Sequence, residues 1–407
     1  KGFDKETDIM DVWFDSGSSH AAVCKKRDYL KVPADVYLEG ADQYRGWFQS
    51  SLLTSVAGGG GAPFKEIVTH GWTVDGEGKK MSKSLGNGID PQDIIDQYGA
   101  DILRLWVASS DYHADIRISP EILKQLSDNY RKIRNTARFC LGNLYDFNPD
   151  TDMVENDKLE ELDKYALMKL DKVIETARKG YEIYEYHTAA HSIHNFCVVD
   201  MSNFYFDVLK DRLYTSVPAS ETRRAAQTVL YKILDALTLL LTPILAFTAD
   251  EIWQFMPHDK SRNTDSPLFN EIPNADFIET DEAFMDKWEK IHAVRVDVQK
   301  ALELARNEKK IGKSLEAKIV LGADGAFYDF LKEVEAELPE IFITSSVEVV
   351  KEQQSFAGDV EGLTVSVFKA DGGKCERCWK FSTSVGENEN HPELCEHCAA
   401  VIAEIGE

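Results

Sequence analysis

The sequence predicts a multidomain α/β plus all-α protein: an α/β part, a helical bundle, a small α+β module and a cysteine-built tail. Three observations predict it. Residues 1 to about 110 alternate short β-like runs with helix-like ones, residues from about 120 to 256 carry long helical periodicity, and four of the seven cysteines form two CxxC pairs near the end. A chain of 407 residues is long enough for two to four domains, and we divide it at 1–118, 119–280, 281–371 and 372–407.

In the first part, Val36-Tyr37-Leu38 and Ile67-Val68-Thr69 read as buried strands, and 42–56 and 91–107 as helices. That order suits a parallel sheet, whose ligands gather at the carboxyl ends of the strands. Glu39-Gly40-Ala41-Asp42-Gln43 and His70-Gly71-Trp72 fall at those ends. From Asp75 to Gly88 three lysines and two serines lie between pairs of glycines, a cationic loop suited to closing over a polyphosphate. A helix start follows, with Asp90 as N-cap, Pro91 in the first turn and Asp93 three residues on.

Pro120 and Glu121 open the first bundle helix; others are expected at about 157–180, 184–211, 219–241 and 246–256, with a polar loop at 257–276. Arg131, Arg134 and Arg138 share one face of the first of these, with Lys132 beside them. Such a stripe suits RNA phosphates, or simply a solvated face. His187, His191 and His194 also share a face, but no HExxH glutamate accompanies them, and ordinary packing is expected. Cys24, Cys140 and Cys197 are isolated and read as simple buried thiols. The α+β module should hold a helix at 282–309, a strand at 316–321, a helix at 325–337 and strands at 346–350 and 363–369. Gly312-Lys313-Ser314 has the ending of a P-loop, but Asn307 stands where its first glycine belongs, so that reading is rejected.

Cys375-Glu376-Arg377-Cys378 and Cys395-Glu396-His397-Cys398 are separated by 16 residues. Two tight turns, each offering two thiolates, complete a tetrahedral site, and four protein ligands make it structural. Zinc is the expected metal; a rubredoxin-like iron site would use similar ligands. Trp379, beside the first turn, is placed either to stack on a base or to pack on the ribbon.

Composition narrows the classes. A net charge of −24 argues against a generally nucleic-acid-binding surface, so any RNA contact must be local. No apolar run reaches membrane-spanning length; Ala236 to Phe247 is short and interrupted by Pro243. An odd number of cysteines, four of them clustered, suits a metal site in a reducing compartment better than a disulfide framework. There is no signal-peptide pattern, and the start at Lys1 without Met suggests part of something longer.

Lys80-Met81-Ser82-Lys83-Ser84 reads KMSKS and resembles the signature loop of class I aminoacyl-tRNA synthetases. DVWFDSG at 11–17, LEGADQYRGWF at 38–48, HGWTVDGEGKKMSKS at 70–84, GADILRLWVA at 99–108, RKIRNTARF at 131–139 and the Cys₄ tail together resemble the bacterial isoleucine enzymes of that class. The resemblance implies ATP- and magnesium-dependent activation of isoleucine and its transfer to tRNA(Ile). It implies that Lys80 and Lys83 stabilise developing phosphate charge, that Ser82 and His70 join Lys83 in contacting ATP, and that Glu39, Gly40, Asp42 and Gln43 contact the adenylate. Trp13 and Trp47 would wall the side-chain pocket, and Arg131, Arg134, Arg138 and Trp379 would contact tRNA. Tyr44 stands where the family usually has His. None of the ten histidines forms the His-x-Gly-His motif, the other half of the family's ATP site. The resemblance therefore covers the C-terminal portion: the second half of the Rossmann-like catalytic domain, the anticodon-binding bundle, the junction module and the zinc ribbon, without the editing domain. It implies a fragment inactive alone but able to bind tRNA, prone to self-association through unpaired sheet edges, from a cytoplasmic, membrane-free and monomeric enzyme. Alternatives are a tRNA-binding module only, or the related valine ligase, which the Cys₄ tail disfavours.

Overall fold

The structure is a computed structural model that describes residues 2–82, 84–279 and 281–406. By its internal contacts the chain divides into two units, Lys1–Tyr130 with Ala177–His191, and Arg131–Thr176 with Ser192–Glu407.

The first unit opens with α1 (Val12–Gly17), capped by Asp11, whose carboxylate accepts from the Trp13 N–H at 2.8 Å, and a single turn, α2 (Ser19–Ala22). No periodicity in the DVWFDSG stretch predicted α1; its cap is the local signal. Strand β1 (Ala34–Gly40) pairs in parallel with β2 (Phe64–His70), Ala34 opposite Phe64 and Gly40 opposite His70, and α3 (Trp47–Ala57) is the crossover. The expected helix over 42–56 begins later, because Ala41–Arg45 form a tighter 3₁₀ turn that ends at Gly46. Strand β3 (Thr73–Val74) pairs in parallel with β4 (Ile116–Arg117). Helices α4 (Pro91–Tyr98) and α5 (Ala100–Ala108) bury Ile94, Ile102 and Trp106 with Ile118 and Leu123. The sequence suggests one helix over 91–107, but the chain breaks at Gly99, whose φ of 89° and ψ of 155° end α4 and re-aim α5.

The helical elements are α6 (Pro120–Asn143), α7 (Glu161–Glu182), α8 (Tyr186–Asn195), α9 (Phe206–Thr215), α10 (Glu221–Leu241) and α11 (Ala246–Phe255). Helices α8 and α9 are joined by a π-helical stretch, Phe196–Tyr205, so the helix expected over 184–211 is one run with a wider central register. Ser202 Oγ donates to the Cys197 carbonyl at 2.8 Å there. In the second unit α10 is buried at every position from Ala225 to Leu241 except Lys232, its polar Gln227, Thr228, Asp235 and Thr238 included. Asp163, fully buried, accepts both Arg212 guanidinium nitrogens at 2.9 and 2.7 Å and the Tyr205 hydroxyl at 2.7 Å, tying α7 to α9.

Helix α12 (Glu282–Asn307) lies against a four-stranded sheet of order β6-β5-β8-β7, built from β5 (Ala317–Gly322), β6 (Ser346–Val350), β7 (Phe356–Ala357) and β8 (Thr364–Lys369). Only β5 and β6 are parallel. The helix expected over 325–337 is two, α13 (Gly325–Val334) and α14 (Leu338–Phe342), with Pro339 in the first turn of the second. The tail is a ribbon of β9 (Gly373–Lys374) and antiparallel β10 (Phe381–Ser382), closed by α15 (Glu396–Ile405). Among the described residues no helix is long and apolar enough to cross a membrane.

Candidate functional site

Parallel pairing brings Gly40 and His70 level at the carboxyl ends of β1 and β2, with Glu39 opposite Thr69. Gly40 is buried, and a Cβ there would stand 2.7 Å from Asp42 Oδ1 and 3.5 Å from His70 Cε1, so a larger residue would have to push the Asp42 carboxylate aside. His70 Nδ1 donates to the Gly71 carbonyl at 2.8 Å, which leaves Nε2 as an acceptor. Gln43 donates to Asp42 at 3.1 Å and its Oε1 accepts from the Trp47 N–H at 2.9 Å, capping α3. Trp47 stacks on Tyr37 at 4.2 Å and 7°, and its indole N–H reaches the Ser16 carbonyl at 3.0 Å. The stack fixes the ring and adds about 0.5–1.5 kcal/mol beyond burial. Trp13 lies over Gly46, where a Cβ would meet its ring at 3.0 Å. Glu39, Gly40, Asp42, Gln43, His70, Trp13 and Trp47 thus gather around one strand end.

The chain leaves that end through β3 into the lysine-bearing loop. Asp75 Oδ1 accepts from the N–H groups of Glu77 at 3.0 Å and Lys79 at 2.8 Å, while Oδ2 accepts from Asn87 Nδ2 at 2.8 Å. Asn87 also donates to the Lys80 carbonyl at 3.3 Å and accepts from the Ser82 N–H at 3.0 Å. The bond from Asn87 and those from the two N–H groups hold the Asp75 carboxyl below the usual carboxylate range. Met81 turns inward onto the Ile94 and Trp106 core, Lys79 pairs with Glu77 at 2.6 Å, and Lys80 is exposed without an ion pair among the described residues. Lys83 lies outside the described residues. The sequence reading named this loop but missed Asp75 and Asn87 as its ties; Asn87 between Gly86 and Gly88 was the available signal.

In the second unit the four sulfurs of Cys375, Cys378, Cys395 and Cys398 lie within 4.8 Å of one another, the sole such group among the described residues. Cys378 Sγ is 3.8 Å from Cys395 Sγ, near the tetrahedral edge of about 3.8 Å that Zn–S bonds of about 2.3 Å require. Burial and mutual repulsion push the Cys398 thiol up to about 11, a conflict that a bound dication removes by stabilising the thiolates. The donor set therefore fits a structural zinc ion. Inside the first turn Arg377 donates to the Thr215 carbonyl at the end of α9 and approaches Cys398 Sγ at 3.7 Å; Lys380 pairs with Asp211. Trp379, at φ 65°, is half exposed with the ammonium groups of Lys313 and Lys374 at 5.2 and 5.8 Å from its ring. Arg131, Arg134 and Arg138 are exposed; Arg134 reaches Glu251 at 3.5 Å, and with Arg138, Phe255 and Thr248 it lines a groove of about 260 Å³. His187 and His191 meet edge to face at 6.4 Å, and among the described residues neither joins a metal-binding group.

The family profile described as "tRNA synthetases class I (I, L, M and V)" matches residues 1–119, "Anticodon-binding domain of tRNA ligase" matches 163–321, and "Zinc finger found in FPG and IleRS" matches 372–401. An isoleucine–tRNA ligase of Caldanaerobacter subterraneus is 52% identical over 407 residues, covering 99% of this chain and 44% of that relative. One from Caldicellulosiruptor saccharolyticus is 55% identical over 401 residues, covering 98% of this chain and 43% of that relative. Along 98–99% of its length the chain is similar to isoleucine–tRNA ligases. It spans less than half the length of these curated members of the ligase family. An Agrobacterium radiobacter LeuRS structure with tRNA and LeuAMS aligns with a TM-score of 0.53 at 18% identity, over 89% of this chain and 42% of that one, a likeness of fold. A Mycobacterium tuberculosis methionyl-tRNA synthetase with methionyl-adenylate aligns at 0.50 and 23% identity, over 60% of this chain and 49% of that one.

Proposed function

We propose that this chain carries the pyrophosphate-facing half of the ATP site and the tRNA-binding parts of an isoleucine–tRNA ligase. The observation that carries the reading is the gathering of Glu39, Gly40, Asp42 and His70 at adjacent parallel strand ends, from which the chain runs directly into the KMSKS loop. In the first step an isoleucine carboxylate oxygen attacks the α-phosphorus of ATP and the bond to the leaving pyrophosphate breaks. In the second, a hydroxyl of the terminal tRNA ribose attacks the acyl carbon and AMP leaves. Lys80 and Lys83 stabilise negative charge on the leaving phosphates, with magnesium sharing that charge. Ser82 and His70 contact the nucleotide, and His70 Nε2 is an acceptor for a ribose hydroxyl or an ammonium. Glu39, Asp42 and Gln43 orient the adenylate, and Trp13 and Trp47 bound the apolar pocket.

The exposed Arg131, Arg134 and Arg138 supply phosphate contacts, and Trp379, flanked by two lysines, supplies a stacking face for a base. The domain limits 1–118, 119–280, 281–371 and 372–407 belong to this proposal, as do a cytoplasmic location and a monomeric full-length enzyme. Because no second phosphate-binding motif accompanies the loop in these residues, the chain alone activates no amino acid. Isoleucine-dependent ATP–pyrophosphate exchange tests both statements: it is expected from the full-length protein and absent from the isolated chain. Exchange that depends on valine instead would sink the isoleucine reading, and exchange by the isolated chain would sink the split-site reading.

A further inference from the structure

We propose that Asn87 is a positioning residue, latched to Asp75, that fixes the backbone on both sides of Lys80 and so aims its ammonium away from the protein. The role assigned to Lys80 rests on the proposed function; the latch itself does not.

The hydrogen bonds divide the loop into held and free atoms. Asn87 uses both faces of its amide: Nδ2 donates to Asp75 Oδ2 at 2.8 Å and to the Lys80 carbonyl at 3.3 Å, and Oδ1 accepts from the Ser82 N–H at 3.0 Å. Asp75 spends its other oxygen on the N–H groups of Glu77 and Lys79. The peptide groups of residues 77, 79, 80 and 82 are therefore pinned, and Val74 adds a bridge to Lys80. Met81, partly buried, packs against the cluster of Ile94, Ile102 and Trp106, so its neighbour in sequence is turned outward. The Lys80 side chain is exposed and makes no ion pair among the described residues, unlike Lys79, which is held by Glu77.

The latch is also able to open. Asn87 lies between Gly86, at φ 64°, and Gly88, and Asp75 precedes Gly76 and Gly78, at φ 83°. Glycines beside both groups let the backbone turn there, and the fastening itself consists of hydrogen bonds alone. No other residue type fills position 87 in the same way. Aspartate would keep the acceptor for Ser82 but set one carboxylate against another, and alanine would lose all three bonds.

A reciprocal exchange distinguishes a latch from generic loop stability. In D75N/N87D, Asn at 75 still accepts from Glu77 and Lys79 and donates to the carboxylate at 87, which still accepts from Ser82; only the long bond to the Lys80 carbonyl is lost. The first measurement is trypsin cleavage after Lys79 and Lys80 in the 407-residue chain, with circular dichroism to establish that each variant is folded. N87D is expected to be cut about tenfold faster, as local opening becomes easier, and D75N/N87D to return to within about twofold of the parent. Equal cleavage of N87D and the parent, or a double variant as sensitive as N87D, would overturn the latch.

The second measurement is ATP–pyrophosphate exchange in full-length protein. N87D is expected to lower kcat roughly 10–100-fold, the size of effect that a misplaced catalytic group produces, with the KM for isoleucine unchanged and the double variant rescued. An unchanged kcat in N87D would overturn the positioning role. Absence of exchange in the unmodified full-length protein would sink the ligase reading, while the latch would still stand or fall on the cleavage rates.

Discussion

Asp146 shows how single residues set stability here. Its carboxylate accepts from Arg223 at 2.7 and 3.1 Å and from Gln227 at 2.7 Å, in a site where Arg223 is only 6% exposed. Burial would raise its pKa, but the bonds from Arg223 and Gln227 and the charges of Arg223 and Arg224 outweigh it and hold the carboxyl below the ordinary range. A carboxyl depressed in the folded state stabilises the fold above the unfolded pKa of about 4, and that contribution is lost as pH falls through the lower folded value. Urea unfolding should therefore show a falling midpoint below about pH 4, and Asp146→Asn should flatten that limb. At neutral pH the same variant should cost roughly 3 kcal/mol, because it leaves the buried Arg223 without its counter-charge; an unchanged midpoint would refute this. Nothing in the sequence marks Asp146 as this hub, since its partners are 77 and more residues away. Cysteines differ: the ligand set Cys375, Cys378, Cys395 and Cys398 was legible from spacing, because each pair closes within its own turn.

At the scale of elements, departures from simple periodicity occur where backbone chemistry intervenes. Gly99 occupies a region nearly closed to other residues, so Gly99→Ala should destabilise the first unit by about 1–3 kcal/mol in denaturant unfolding; a neutral effect would mean that α4 and α5 can fuse. The wide register of Phe196–Tyr205 was invisible in sequence, because a ten-residue stretch holds only about two i→i+5 turns, too few for a wider apolar period to stand out from the α-helical one around it. The ribbon shows the opposite balance. Its elements β9 and β10 are two residues each, too short to persist unaided. Zinc removal by a chelator should therefore expose four thiols to a thiol reagent, change Trp379 fluorescence and abolish α15, while leaving α10 helical. Thiols that remained unreactive after metal loss would show that packing alone maintains the ribbon.

At the scale of the whole molecule the two units differ in how much apolar surface each encloses. The first has two-stranded sheets and leaves Leu38, Leu53 and Val56 from 52% to 59% exposed. The second buries Trp253, Trp288, Tyr205, Phe196 and Phe204 almost completely. Since stabilisation scales with apolar area removed from water, at about 25 cal/mol per Å², urea should unfold the chain in two phases. The first phase should report Trp13, Trp47, Trp72 and Trp106, and the second Trp253 and Trp288; a single coincident transition by fluorescence and circular dichroism would refute this. With a net charge of −24, the exposed arginines of α6 form a local cationic stripe on an acidic molecule. By itself the sequence determined the order of α/β, helical, α+β and metal-bound parts, the four zinc ligands and the motifs that carry the family, because these depend on periodicity and short spacing. Only the tertiary structure decided that Gly40 and His70 stand level, that Asn87 fastens Asp75, and that Arg377 and Lys380 anchor the ribbon to α9. Each of those contacts joins residues far apart in the chain or through a turn whose backbone angles are fixed by packing, and no pattern of letters encodes that proximity.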